Sequence, residues 1–361
     1  MKDADLFHKL TASIGGRFPR EIAPDEAKEV YDEVAERANN LINVTRIQLP
    51  NLPAIYFDFI LNSSINAVAF KAAGSYFIGI NTGTLYMLRS IIGRILSDAR
   101  LFRRIGNPDK ESHNLEPLLH YSVDAEELLK KMPLMTPRDP IRASYADYLL
   151  DQAIMFLVGH EIAHITRGHV DYLAKDRNIF TKEIDENATG GHKEIFQRQA
   201  IEIDADGRSI YSRIDSLRIN FGNPETTLLP WAPNAQGPGQ MIQDWAVSLN
   251  VLFNLFGNRR FTLCEFKETN HPPLLLRQAL CMAKAATEIV RNWDQRLQST
   301  ALNSLGAAQK ETNEAFVTLL GLTLAPATEN DQINLRNHGL QLVNEWNSHL
   351  RFEIKGFAYE F

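Results

Sequence analysis

Residues 156–169 read Phe156-Leu157-Val158-Gly159-His160-Glu161-Ile162-Ala163-His164-Ile165-Thr166-Arg167-Gly168-His169. The stretch is apolar apart from three histidines, one glutamate, one arginine and one threonine. His160, Glu161 and His164 form a His-Glu-x-x-His pattern. At ~100° per residue, positions i and i+4 of a helix lie about 40° apart. The two imidazoles therefore project from one face, one turn apart, and can hold one zinc ion. Glu161, beside His160, is placed to reach water at the metal rather than the metal itself. On a continuous helix His169 turns ~140° off the face of His164, so a structural contact is expected of it rather than zinc ligation.

Outward from this stretch, the apolar periodicity predicts a long helix over about 141–171. Upstream, Pro24-Asp25-Glu26 opens a helix to about residue 43, its acidic first turn suiting the helix dipole. The period then changes. Residues 45–49, 54–59, 66–70 and 75–80 read as strands, with Ala72-Ala73-Gly74 as a turn. Downstream the chain reads as helical: about 84–104, a short helix near 125–131, then 193–218, 240–257, 273–300, 308–323 and 330–350. A polar loop is expected over about 174–190. A Pro- and Gly-rich loop over 221–239 is long enough to cover a cleft. The fold class expected is α+β, mostly helical, with a small N-terminal sheet.

A catalytic zinc needs a third protein ligand and one open position. Three carboxylates compete: Glu202, Asp204 and Asp206. Glu202 and Asp206 share a helix face, whereas Asp204 points roughly 200° away from Glu202. Glu202, with its longer side chain, is the best third ligand. Asp206, one turn on, could accept the second ring N–H of a ligand histidine.

These residues resemble the gluzincin metallopeptidases of the HtpX and CAAX-prenyl-endopeptidase family. The resemblance rests on Glu202-x-x-Ala205-Asp206 downstream of His160-Glu161-x-x-His164, on His169, on Asn66-Ala67-Val68-Ala69 followed by Gly74 and Asn81-Thr82-Gly83-Thr84-Leu85, and on His271-Pro272-Pro273 leading to Arg277. It covers residues 45–85 and 150–280. It implies a zincin-like domain over 45–300, preceded by an N-terminal tail and helix (1–44). An insertion at about 100–145 and a C-terminal helical cap (301–361) match nothing in that family. It also implies that His271 donates to the oxyanion or closes the resting site as a fourth ligand, and that Arg277 pairs with Asp206 or another site carboxylate. Strand 75–80 would be the edge strand preceding the zinc helix. Its residues Tyr76, Phe77, Ile78 and Gly79 would bind substrate by backbone pairing, with Gly79 allowing close approach. A looser resemblance links the motif to phage-exclusion zinc peptidases that cleave elongation factor Tu.

Composition narrows the remaining choices. The 361 residues are 44% hydrophobic and 23% charged, with a net charge of −6. Nothing basic enough for nucleic acid is present, nor a run of about 20 apolar residues able to span a bilayer. The two cysteines, Cys264 and Cys281, fit no metal or redox spacing. No signal peptide is visible, so a cytoplasmic location is expected. The expected function is a soluble zinc endopeptidase that hydrolyses a protein substrate with one zinc-activated water and Glu161 as general base. Two alternatives stand beside it: a non-catalytic or latent sensor of the same fold, and a host-defence protease acting on one cytosolic protein.

Overall fold

The helix that carries the His-Glu motif runs through the centre of the protein and is apolar on nearly every side. It is seen in a computed structural model that describes residues 3–22, 25–117, 134–175, 192–221, 237–255, 269–320 and 328–360. The short helix expected near 125–131, most of the polar loop over 174–190, most of the loop over 221–239, and Cys264 lie outside the described residues.

Among the described residues, the elements in chain order begin with α1 (Asp3–Thr11), α2 (Asp25–Gln48), β1 (Ile55–Ile60), β2 (Ala67–Ala72), β3 (Ser75–Asn81) and α3 (Thr82–Leu96). The central helix is α4 (Pro140–Thr166), followed by the short α5 (His169–Ala174). Then come α6 (His192–Phe221), α7 (Pro238–Leu255), α8 (Leu274–Asn292), α9 (Gln295–Leu320) and α10 (Glu329–Glu345). A π-turn (Trp346–Leu350) leads into α11 (Arg351–Ile354). The architecture is mostly helical with one small sheet, as the α+β reading expects.

The α4 helix starts on a strong signal. Asp139 caps it by accepting from the N–H groups of Ile141 and Arg142 at 3.1 and 3.2 Å, and Pro140 occupies the first turn where no N–H is needed. Its apolar side chains, among them Leu149, Ile154, Val158 and Ile165, join α2, α3, α6 and α7 in one core. From Gln152 to Thr166 the helix is buried on nearly all sides and has no solvent face, which explains the absence of a polar stripe there. Its first turns carry Ser144, Asp147 and Asp151 toward solvent. Close packing against α6 depends on Gly159. A Cβ there would meet Ser209 Oγ at 2.8 Å, and that hydroxyl donates to the Phe156 carbonyl at 3.0 Å.

The sheet corrects one expectation. Strand order is β1-β3-β2, with β1 parallel and β2 antiparallel to β3. Strand β3 is thus central, and both of its edges are already paired. Tyr76, Phe77, Ile78 and Gly79 cannot receive a substrate strand by backbone pairing. Their side chains are also committed. Tyr76 and Ile78 enter the main core, while Phe77 packs with Phe7 of α1 on the other face. Gly79 is small because a Cβ would meet Ile60 Cδ1 at 2.5 Å, not because another backbone approaches.

Other boundaries also differ. Residues 45–48 continue α2 instead of starting a strand. Thr45 bonds back to the Leu41 carbonyl at 2.9 Å, and Ile47 is 79% exposed. Extending a formed helix costs less than nucleating a new strand, so the alternating pattern is overridden. The break expected near 301–307 instead falls at Trp293-Asp294, where Asp294 accepts from Arg296 N at 2.9 Å. The boundaries expected at residues 44/45 and 300/301 fall inside α2 and α9, and both helices contribute to the main core. No helix among the described residues is long and apolar enough to cross a membrane.

The start of the expected insertion is anchored by a residue that no motif marks. Arg142 is fully buried and donates to the carbonyls of Leu96, Asp98, Leu101, Phe102 and Ile105 at 2.7–3.1 Å. It organises the turn after α3 against the base of α4.

The far end of α4 also departs from the sequence reading. The helix stops at Thr166, and Gly168 turns the chain with φ +78°. The tail of the chain then covers this end. Tyr359 N–H bonds the Thr166 carbonyl at 2.8 Å, satisfying an acceptor that a helix end leaves open. A Cβ on Gly168 would meet the Phe357 carbonyl carbon at 2.6 Å. Gly168→Ala is therefore expected to destabilise the protein by at least ~1–2 kcal/mol, from the left-handed conformation alone. Denaturant unfolding of the variant measures this; an unchanged midpoint would contradict the assigned turn.

Candidate metal centre

Three side chains from two helices converge. Helix α4 supplies His160 and His164, whose Nε2 atoms lie 3.0 Å apart. Helix α6 supplies Glu202, with Oε2 3.4 Å from His160 Nε2 and Oε1 3.4 Å from His164 Nε2. The three offer one ligand atom each within 4.8 Å of one another, and both histidines are buried. Bonds of ~2.0–2.1 Å to a tetrahedral zinc put neighbouring ligand atoms ~3.3 Å apart. The observed spacings match one face of such a tetrahedron. Two neutral imidazoles and a carboxylate are also a donor set that suits zinc. The residues present thus fit the metal that the motif implies.

The surrounding shell is charged and directional. Asp206, one turn beyond Glu202, places Oδ1 2.9 Å from Nδ1 of His160. Arg277 of α8 donates to both oxygens of Asp206, at 2.8 and 2.7 Å, and stands 3.6 Å from Glu202. The pairing of Arg277 with Asp206 is one of the two partners the sequence reading offered. His271 lies at the rim. Its Nδ1 is 3.2 Å from Glu202 Oε2, and its side chain is 44% exposed.

Charge and burial set the protonation states of the metal-free site. Burial opposes charge on His160, but Asp206 and Glu202 outweigh it and raise the pKa to about 10. Burial likewise lowers the pKa of His164. Glu202 is held well below the usual carboxylate range: burial works against ionisation, but His271, His164 and His160 prevail. Asp206 is lowered too, because Arg277 and His160 overcome its burial. Glu161 goes the other way. Burial raises its pKa to about 7, with His160 opposing and the charge of Glu202 adding. A carboxyl poised near neutrality is matched to taking and returning a proton at physiological pH.

The sequence reading missed a second arm of the site. Because α4 ends at Thr166, His169 is not a continuation of the helix. The Gly168 turn folds it back, and its Nδ1 lies 3.2 Å from Nδ1 of His164. His169 is outside the ligand set, as expected, but because it sits on the outer nitrogen of His164 and not because of helical phase. Its Nε2 is 3.3 Å from Asp204, which Arg167 holds through two hydrogen bonds at 2.8 and 3.1 Å. Gly168 immediately before His169 was the available signal, since glycine commonly ends helices.

Comparison of the chain with protein-family models, with curated proteins and with solved structures finds no match. The geometry alone carries the functional reading.

Two outcomes follow. Zinc content of the purified protein is expected to fall to near zero in His160→Ala and Glu202→Ala. Asp206→Ala should keep the ion but hold it ~10–100-fold more weakly. Emptying of the site by the Asp206 change alone would reverse the assignment of Glu202. The second outcome concerns pH. His169 is fully buried and its folded pKa is depressed to about 4, from 6.5, by burial. The unfolded chain takes up this proton first, so stability is lost as pH falls from about 6.5 toward 4. The loss approaches ~3 kcal/mol once both states are protonated. Glu161, with its pKa raised from 4.5 to about 7, contributes an opposite slope over nearly the same window. The His169 contribution is therefore read as the difference between denaturant melts of the metal-free parent and of His169→Asn from pH 4 to 7.

Proposed function

We propose that this chain is a zinc-dependent endopeptidase of gluzincin type, acting on a cytoplasmic protein substrate. The observation that carries the reading is the convergence of His160, His164 and Glu202, with the carboxyl of Glu161 buried on the same helix turn. Zinc held by the three ligands would supply Lewis acidity to water and to the peptide carbonyl. Glu161 accepts the proton of the attacking water and returns it to the leaving amine. His271, partly exposed at the rim, is the group available to donate to the developing oxyanion. Asp206 and Arg277 hold His160 in orientation and keep α6 and α8 together around it.

The substrate path differs from the one the sequence suggested. Strand β2 ends the sheet on one side and packs beside α4 and α5. An extended peptide that adds to the sheet would therefore pair with β2, not β3. Helix α5 contributes Asp171 at that side, where it binds Lys71 of β2 at 2.6 Å and also Tyr76 of β3.

Unfolded casein provides a general substrate for the test. Zinc-loaded protein is expected to cleave it, chelator to stop cleavage, and Glu161→Gln to lower kcat by ~10²–10⁴-fold while keeping the metal. Cleavage that survives chelation would exclude the mechanism. If the zinc-loaded protein leaves casein intact, the broad endopeptidase reading falls, and a non-catalytic zinc protein or a protease confined to one cytosolic protein takes its place.

A further inference from the structure

The two histidines of the motif are held from behind by different means. His160 faces a carboxylate directly, whereas His164 faces another histidine. We propose that His169 is a positioning residue for the metal site: with Asp204 and Arg167 it fixes the tautomer and ring orientation of His164. The inference rests on the zinc reading above and extends it to a set of residues outside the ligands.

The chemistry runs in one direction. Arg167, always charged, grips Asp204 through its Nε and Nη2. Both oxygens of Asp204 are engaged by these two guanidinium N–H groups, so the side chain presents only acceptor positions to its other neighbours. Asp204 Oδ2 stands 3.3 Å from Nε2 of His169 as an ion-pair contact rather than an aligned hydrogen bond, and its negative charge favours the neutral tautomer of His169 that carries the proton on Nε2. That leaves Nδ1 of His169 as an acceptor. It lies 3.2 Å from Nδ1 of His164, which must then carry the hydrogen. The lone pair of His164 is left on Nε2, the atom that faces Glu202 and His160. The polarity of the whole chain is thus set at Asp204 and delivered to the metal face of His164.

Packing holds the relay still. The His169 ring is fully buried and meets Trp346 edge-on, with centroids 5.4 Å apart. Arg167 lies over the same indole at 5.6 Å. The π-turn at 346–350 interrupts the helical run between α10 and α11 at this point. Gly168 supplies the reversal that brings His169 back onto His164.

The test is zinc affinity, read by competition with a chromophoric chelator. His169→Phe keeps the bulk of the ring and removes both nitrogens; His169→Asn restores an acceptor near the Nδ1 position. Phe is expected to weaken zinc binding ~10–100-fold, and Asn to recover most of the loss. Native-like affinity in the Phe variant overturns the proposal, as does an equal loss in both variants, which would mean packing alone. A parent protein that binds no zinc overturns the metal reading and the relay together. Zinc binding that requires His160 but ignores His169 overturns the relay only. Should the variants not fold, imidazole ¹⁵N spectra of the zinc-loaded parent decide. His169 protonated at Nε2 supports the relay, and His169 protonated at Nδ1 contradicts it.

Discussion

Three carboxylates of one helix are buried against the end of another, and the rest of the structure around the site balances that charge. Glu202, Asp204 and Asp206 lie within five residues of α6 and each side chain is at most 13% exposed. Taking three anions out of water is prohibitive unless each finds a partner. Each does. Arg277 of α8 takes Asp206, Arg167 takes Asp204, and the two motif histidines with His271 surround Glu202. The last of these is the one that leaves donor atoms of the two histidines and the carboxylate facing each other. A cation held between them would answer the remaining negative charge of Glu202 there.

This arrangement explains why distant parts of the chain close on one place. Gly159 admits α6 close enough to α4 for Glu202 to reach both histidines. Arg277 brings in α8, which packs against α6. The tail of the chain closes the end of α4 and reaches α6 as well. Glu360 accepts from Thr166 of α4 at 2.7 Å and from Arg208 of α6 at 2.8 Å. Trp346 and its neighbours Leu342 and Leu350 pack on Ala200 and Ile201, just before Glu202. The C-terminal helices are thus a wall of the site rather than an appendage.

Much of the site was legible because helical spacing is a strong geometric rule. His160 and His164, and again Glu202 and Asp206, are four apart, and each pair needs only a helix to share a face. What the spacing could not convey was where helices stop. Gly168 is a residue type that commonly ends helices, but only its φ of +78° shows the reversal that folds His169 back onto His164. The sheet posed a different difficulty. Periodicity identified three of its strands, but strand order depends on which edges become covered, and nothing in residues 75–81 marks them as central. Arg142 carries no motif at all; its five carbonyl partners lie 37–46 residues away in sequence.

The central claim is that α4 and α6 together hold one zinc ion through two imidazoles and a carboxylate. Zinc K-edge X-ray absorption of the loaded protein tests it most directly. The account predicts one ion per chain, two imidazole nitrogens, and only nitrogen and oxygen donors at ~2.0–2.2 Å. A zinc shell containing sulfur, a single imidazole, or a protein that retains no zinc would contradict it.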